Sequence, residues 1–253
     1  MAVDQAGAVG RQGDGRMTRD LLTPADLAVI EAAVRDAETR TSGEIYCVVA
    51  GESSDYHGTP TAWAAGVALL APALLLLAGI QVTAPDVMLY GGWTASQVEG
   101  VGEATARAAL IGTLVLQAAL FAVTLLIVSI HGVRMALTPP GMKRDQVRRQ
   151  AQAQFLAKNL HTTRERTGVL IYVSIAERMA ELIADESINA QVADKTWDTA
   201  MAALTAGLRR GEAVEGFKAA VSQCADVLAK SFPARPGDNP NELSDAVVVL
   251  PRV

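Results

Sequence analysis

The chain has 253 residues and a formal net charge of −5, with half its residues hydrophobic and only 4% aromatic. That length suits one or two domains. The acidic balance excludes the basic footprint of a nucleic-acid binder, so no nucleic acid is expected as a partner. Two cysteines, Cys47 and Cys224, lie far apart without neighbouring Cys or His, which excludes a disulfide framework and a zinc site and leaves two buried thiols.

Residues 1–20 are Gly-rich and polar and lack the apolar core of a signal peptide. They read as a disordered tail, and Met17 as a second candidate start. The first helix follows, with Thr23 as N-cap, Pro24 at the first helical position and Asp26 in the first turn. Leu27, Ile30, Val34 and Ala37 keep the 3/4 spacing of a buried face. The strand "EIYCVVA", 44–50, is almost all β-branched or apolar, which suits a strand covered on both faces.

Gly58 to Pro85 carries no charge, and neither does Ala108 to Val133. About 20 apolar residues cross a bilayer as a helix, so two transmembrane helices are expected, roughly 62–82 and 108–133. The connecting loop holds Tyr90 and Trp93 as interfacial aromatics and one basic residue, Arg107. After the second span come Arg134, Lys143, Arg144, Arg148 and Arg149. The positive-inside rule puts that flank in the cytoplasm, and two spans return the N-terminal segment to the same side. The expected location is a bacterial inner membrane, two-pass, with both termini and the soluble domain cytoplasmic. The same cations suit anionic lipid head groups, and the topology is then unchanged.

A helix is expected over about 143–161, with Val147, Ala151, Phe155 and Leu160 near one stripe. A strand follows at 167–175, then a tight link and a third strand at 179–185, which predicts an antiparallel hairpin. A helix over about 189–209 shows Trp197, Met201, Leu204 and Leu208 on one face. The last helix, after Gly211, spaces Val214, Phe217, Val221, Cys224 and Leu228 evenly. "DAVVVLPRV" is either an edge strand or loose. The fold class is therefore α/β: a small mixed sheet with flanking helices, split in sequence by a two-helix transmembrane hairpin. Residues 21–57 plus 143–232 form the soluble domain, 58–142 the hairpin and 233–253 a C-terminal tail.

The soluble halves resemble the TPM-domain family. The resemblance lies in "LTPADLAVIEAAVRDAETRTSGEIYCVVA" and in the segment opening "TGVLIYVSIAERMAELIADESINAQ", which look like the family's opening helix and first strand and its second strand, "ER" hairpin and closing helices. It is most similar to the bacterial variant with a membrane hairpin inserted after the first strand. The family includes an acid phosphatase, and many members carry a glycine-rich turn after the third strand, near an acidic region implicated in catalysis or calcium binding. Here that place reads "ADESINAQV", without the glycine that permits close backbone approach to a ligand.

Asp185 and Glu186 end the third strand, with Asp194 and Asp198 at i, i+4 beyond them. Such acids suit a hard cation, and equally a helix cap. Asp55, Tyr56 and His57 form a polar cluster between strand and span, suited to acid/base work or to a plain juxtamembrane linker. His131 falls near the end of the second span and His161 at a helix end. Polar residues in the spans are Gln81, Thr113, Gln117, Thr124 and Ser129, none of them ionisable, which makes a pore or transporter component the least favoured function. Ala64, Ala68, Ala108, Gly112, Ala118 and Ala122 allow close packing of the hairpin on itself, on a second copy or on a membrane-protein partner. The leading expectation is a membrane-anchored binding or scaffold module for a membrane or envelope partner, with a phosphatase-like hydrolase as the alternative. No cofactor is expected, with calcium or magnesium as the alternative to none.

Overall fold

The computed structural model describes residues 22–79, 98–235 and 241–250. The expected tail at 1–20, with Met17, and the loop aromatics Tyr90 and Trp93 lie outside them, as does Gln81. The chain divides into two compact units, one of residues 56–138 and one made of the segments on either side.

In the two-part unit, α1 spans Pro24–Glu38 and starts on a full capping box, Thr23 Oγ1 accepting from the Asp26 N–H and the Asp26 carboxylate accepting from the Thr23 N–H. Strand β1 (Glu44–Ala50) pairs in parallel with β2 (Gly168–Ser174), Glu44 opposite Gly168 and Ala50 opposite Ser174. Strand β3 (Met179–Ala184) returns antiparallel to β2, so the predicted hairpin is present. Of the two readings of the C-terminal segment, the edge strand holds: β4 (Val248–Leu250) runs parallel to β1. The sheet order is β3-β2-β1-β4, which makes the two wholly buried strands the central pair.

That position explains their composition. Ile45, Cys47, Val49, Val169, Ile171 and Val173 face one core, shared with α1, α7 (Asp198–Arg210) and α8 (Ala213–Ser231). Tyr46, Val48, Ala50, Leu170 and Tyr172 face the other, covered by Val147, Ala151 and Phe155 of α5 (Pro140–Ala157). A strand buried on both faces needs no polar alternation.

Several helix boundaries differ from the sequence-based expectation. Helix α5 begins at Pro140 rather than 143, Pro being favoured in a first turn, and ends at Ala157 rather than 161. Asn159 takes a left-handed φ of 54°, and Leu160 turns into the core inside a short 3₁₀ turn that also holds His161. The helix expected over 189–209 is three pieces: α6 (Glu186–Asn189), a 3₁₀ turn at Asp194–Trp197, and α7. The Asn189 amide donates to the Ala184 carbonyl at 2.9 Å, tying the end of α6 back to the end of β3. The break keeps Ile188, Val192 and Trp197 all in the core. Asp194 and Asp198 therefore do not share one helix.

The other unit holds α2 (Gly58–Leu77), α3 (Val98–Ser129) and α4 (His131–Leu137). Helix α2 starts at Gly58 rather than 62. The second helix does not run on to 133: Ser129 Oγ donates back to the Leu125 carbonyl and Ile130 is extended. Gly58–Leu77 and Ala109–Ser129 are long and apolar enough to cross a membrane, and only 22% and 6% of their apolar windows is buried, unlike a soluble core helix. Inside the hairpin, Pro60, Ala64, Ala68 and Pro72 form a buried i, i+4 stripe along α2. Ala118 and Ala122 face outward instead. Thr59 and Thr138 share a hydroxyl hydrogen bond of 3.1 Å, and Trp63 Nε1 donates to the Leu137 carbonyl at 3.3 Å, closing the open end.

Candidate functional site

In a sheet with parallel strands, ligands bind beyond the carboxyl ends of those strands. Here those ends are Ala50 and Ser174. The chain leaving β1 stays tied to β2, the Ile175 N–H donating to the Ala50 carbonyl and the Ala176 N–H to that of Gly51. This brings four polar side chains together: Ser53, Tyr172, Ser174 and Glu177, all buried. Glu177 Oε1 accepts the Ser53 N–H at 3.0 Å, and its other oxygen accepts the Ser174 hydroxyl in a short contact. The Ser53 and Tyr172 hydroxyls lie 3.1 Å apart. Burial pushes the Tyr172 phenol above its usual range, the Ser53 contact opposing that. None of the four stands out in a single sequence. Glu177 sits in what reads as a tight link, and its one signal is the "ER" pair that resembles the family hairpin.

The cluster expected at the neck falls across the boundary between the two units. Asp55 is the last residue of its unit and half-buried; Tyr56 and His57 open the hairpin unit. Tyr56 is buried with a left-handed φ of 49°, while the His57 side chain is exposed. His131 is exposed, 3.5 Å from the Arg134 guanidinium.

Asp185 and Glu186 also diverge. Asp185 caps α6, its Oδ1 accepting the Glu186 N–H at 2.6 Å, and it is 6% exposed. Its Oδ2 is buried without a hydrogen-bond partner among the described residues, as is the indole N–H of Trp197. Glu186 points outward and pairs with Arg166 at 2.9 Å. Calcium takes six to eight oxygen ligands. These two residues bring one inward carboxylate between them, and among the described residues no group of three or more His, Cys, Asp or Glu could hold a metal. A resident cation does not fit this donor set.

A second carboxylate cluster lies at the amino end of the sheet. Glu38 Oε1 accepts the Ile45 N–H at 3.0 Å, and Glu44 Oε2 accepts the Leu243 N–H at 3.1 Å. Asp245 accepts from Arg35 Nε at 3.1 Å and from the Asn241 amide at 2.6 Å. Burial pushes Glu38 up to about 8, with Glu44 and Asp245 adding repulsion, and burial raises Glu44 as well. These groups hold segment 241–250 against β1; sequence reading assigns them no role because the tail's partner is two hundred positions away.

The fold and this site define a three-layer α/β domain whose strand ends carry a buried hydroxyl–carboxylate cluster. Residues 132–227 match the TPM domain family model, the family that the sequence resembles. Among solved structures it is similar to the BA42 protein of the psychrophilic bacterium Bizionia argentinensis, determined by NMR. The identity is 18% and the TM-score 0.50, over 90% of this chain and 95% of that one, a likeness of fold alone. No curated protein matches the chain.

Proposed function

We propose that this chain is a membrane-anchored TPM domain that binds or scaffolds a membrane or envelope partner and carries out no reaction of its own. One observation carries this reading. At the carboxyl end of the sheet, where a substrate would be met, Glu177, Ser174, Ser53 and Tyr172 are buried and hydrogen-bonded to one another. A general base must reach a substrate proton. This carboxylate instead ties the chain leaving β1 to the hairpin after β2. The two apolar helices support the anchor, with exposed Leu69, Leu70, Leu74, Leu110, Leu114 and Leu126 suited to lipid tails. The basic flank from Arg134 to Arg149 favours a cytoplasmic domain in a bacterial inner membrane.

Cross-linking in native membranes followed by mass spectrometry tests the partner. A reproducible cross-linked membrane protein is the expected result. A C-terminal reporter tests the topology, and periplasmic signal would overturn it.

A second reading, a phosphatase-like hydrolase, is favoured by the buried, unpartnered Oδ2 of Asp185. Purified full-length chain assayed with p-nitrophenyl phosphate, with and without Ca²⁺ or Mg²⁺, separates the two. Turnover that Asp185→Asn abolishes would establish the hydrolase and sink the binding-only function.

A further inference from the structure

Strand β3 is one edge of the sheet, with β2 on its inner side and no strand beyond it among the described residues. Its register with β2 is unbroken from Met179 to Ala184, without proline, glycine or bulge. The Asp185 N–H donates to the Gly168 carbonyl at 3.0 Å, which fixes the alternation of the antiparallel pair. Met179, Glu181 and Ile183 therefore turn their backbone groups toward β2, and Ala180, Leu182 and Ala184 turn theirs outward. The Asn189 amide takes the Ala184 carbonyl. The N–H and C=O of Ala180 and Leu182 meet no partner among the described residues. Such a row is a template for another strand, and sheets commonly blunt it with charge, proline or a bulge. The one charge on β3, Glu181, is answered from α5: burial pushes its carboxyl up, and the guanidinium groups of Arg148 and Arg144 pull it back down. Arg148 lies 3.8 Å from Glu181 with its own side chain 67% exposed, and Arg144 is exposed too. The α5 side of this edge thus carries two cations against one acid. The other side is apolar, with Ala180, Leu182 and Met201 of α7 partly buried against the core.

We propose that the open edge of β3 takes a further strand from a protein partner: an extended segment whose alternate side chains are acidic, facing Arg144 and Arg148, and apolar, facing Leu182. The inference rests on the binder reading above and gives that partner its chemistry. Backbone pairing with Ala180 and Leu182 sets the register, and alternation places every second side chain of the added strand on the same face as Glu181. Charge selects the occupant. A second copy of this chain would set its own Arg144 and Arg148 against the same pair, and a basic segment would meet them as well.

The test uses the full chain in detergent micelles and two short fluorescein-labelled peptides, one alternating Glu and Val, the other Lys and Val. Fluorescence anisotropy should show binding of the acidic peptide alone, and amide hydrogen exchange at Ala180 and Leu182 should slow in its complex. The Arg144→Gln/Arg148→Gln variant should bind it on the order of ten-fold more weakly, the worth of two opposite-charge pairs across neighbouring strands. Ala180→Pro removes an outward donor and leaves the pairing with β2 intact, a place where an edge strand tolerates proline, and should abolish binding. Circular dichroism checks that this variant folds; the arginine variant and the exchange measurement do not depend on it. Equal affinity for both peptides, binding that leaves both amides unprotected, or no binding overturns the edge site. A dimer in sedimentation that Ala180→Pro dissociates overturns it in favour of a second copy. These outcomes concern β3 alone; the binder reading falls only if cross-linking in native membranes finds no partner.

Discussion

The carboxylate of Glu177 accepts the backbone N–H of Ser53 at 3.0 Å, joining positions 124 apart in sequence. Between them in sequence lie the hairpin unit, α5 and strand β2. The contact therefore closes the split domain just where the chain leaves for the hairpin. Glu177→Ala leaves the buried Ser53 N–H and the Ser174 hydroxyl without their acceptor. A buried donor left unsatisfied costs about 1–3 kcal/mol. Chemical unfolding of the detergent-solubilised chain should show a loss of that order, and Glu177→Gln, which keeps one acceptor oxygen, a smaller one. Equal stability of wild type and alanine variant would show that the contact does not hold the halves together.

Glu38 sets a pH dependence. Burial first, then the neighbouring carboxylates Glu44 and Asp245, push it from 4.5 in the unfolded chain to about 8. The folded state thus holds the proton more tightly than the unfolded one. The contribution is fully present below roughly pH 4.5 and is lost as pH rises through about 8. The raised Glu44 acts with the same sign. Stability measured across this window should fall with pH, by at most about 1.4 kcal/mol per unit for each proton involved. Glu38→Gln keeps an acceptor for the Ile45 N–H and should flatten that slope; identical slopes in both proteins would refute the assignment.

The sequence shows the apolar face of each helix and the double burial of β1 and β2, because those are periodicities within one segment. It also shows the hairpin after β2, because a short link leaves little choice. The polar contacts are a different matter. Ser53 lies in a stretch that reads as linker, and nothing in "GESSDY" announces that its N–H meets a carboxylate from "AER". Leu243 reaches Glu44 across 199 positions, and no local spacing encodes that. The break after α6 was hidden for a similar reason. Ala, Gln and Val are unobjectionable in a helix, so nothing local marks the break at 190–193.

Gly207 of α7 and Gly216 of α8 let those helices approach closely. A Cβ on Gly207 would sit 2.9 Å from the Cα of Gly216 and 2.9 Å from the Glu212 carbonyl oxygen, backbone that cannot swing aside. Overpacking of this kind costs about 1–3 kcal/mol. Gly207→Ala should lower the thermal midpoint, and Gly207→Val lower it further. Alanine at the exposed Gly141, which meets nothing within 4 Å, serves as the control and should leave the midpoint nearly unchanged. A tolerated Gly207→Val would mean that α7 and α8 do not cross at these residues.

Cys47 of β1 and Cys224 of α8 belong to the same core and are both fully enclosed. Burial pushes the Cys224 thiol up to about 12 and the Cys47 thiol higher still, with Cys224 and Glu38 adding to the latter. Thiolate, not thiol, attacks an alkylating reagent, so both side chains are shielded twice, by access and by charge state. Intact-mass analysis after N-ethylmaleimide treatment should find no adduct on the folded chain and two on the denatured one. Because each thiol reports on the same core, the two should become reactive together as denaturant is raised, at the midpoint seen for the whole soluble unit. Modification of either one under native conditions would mean that the layer between β1 and α8 opens locally, and the core would then be less tightly closed than its burial implies.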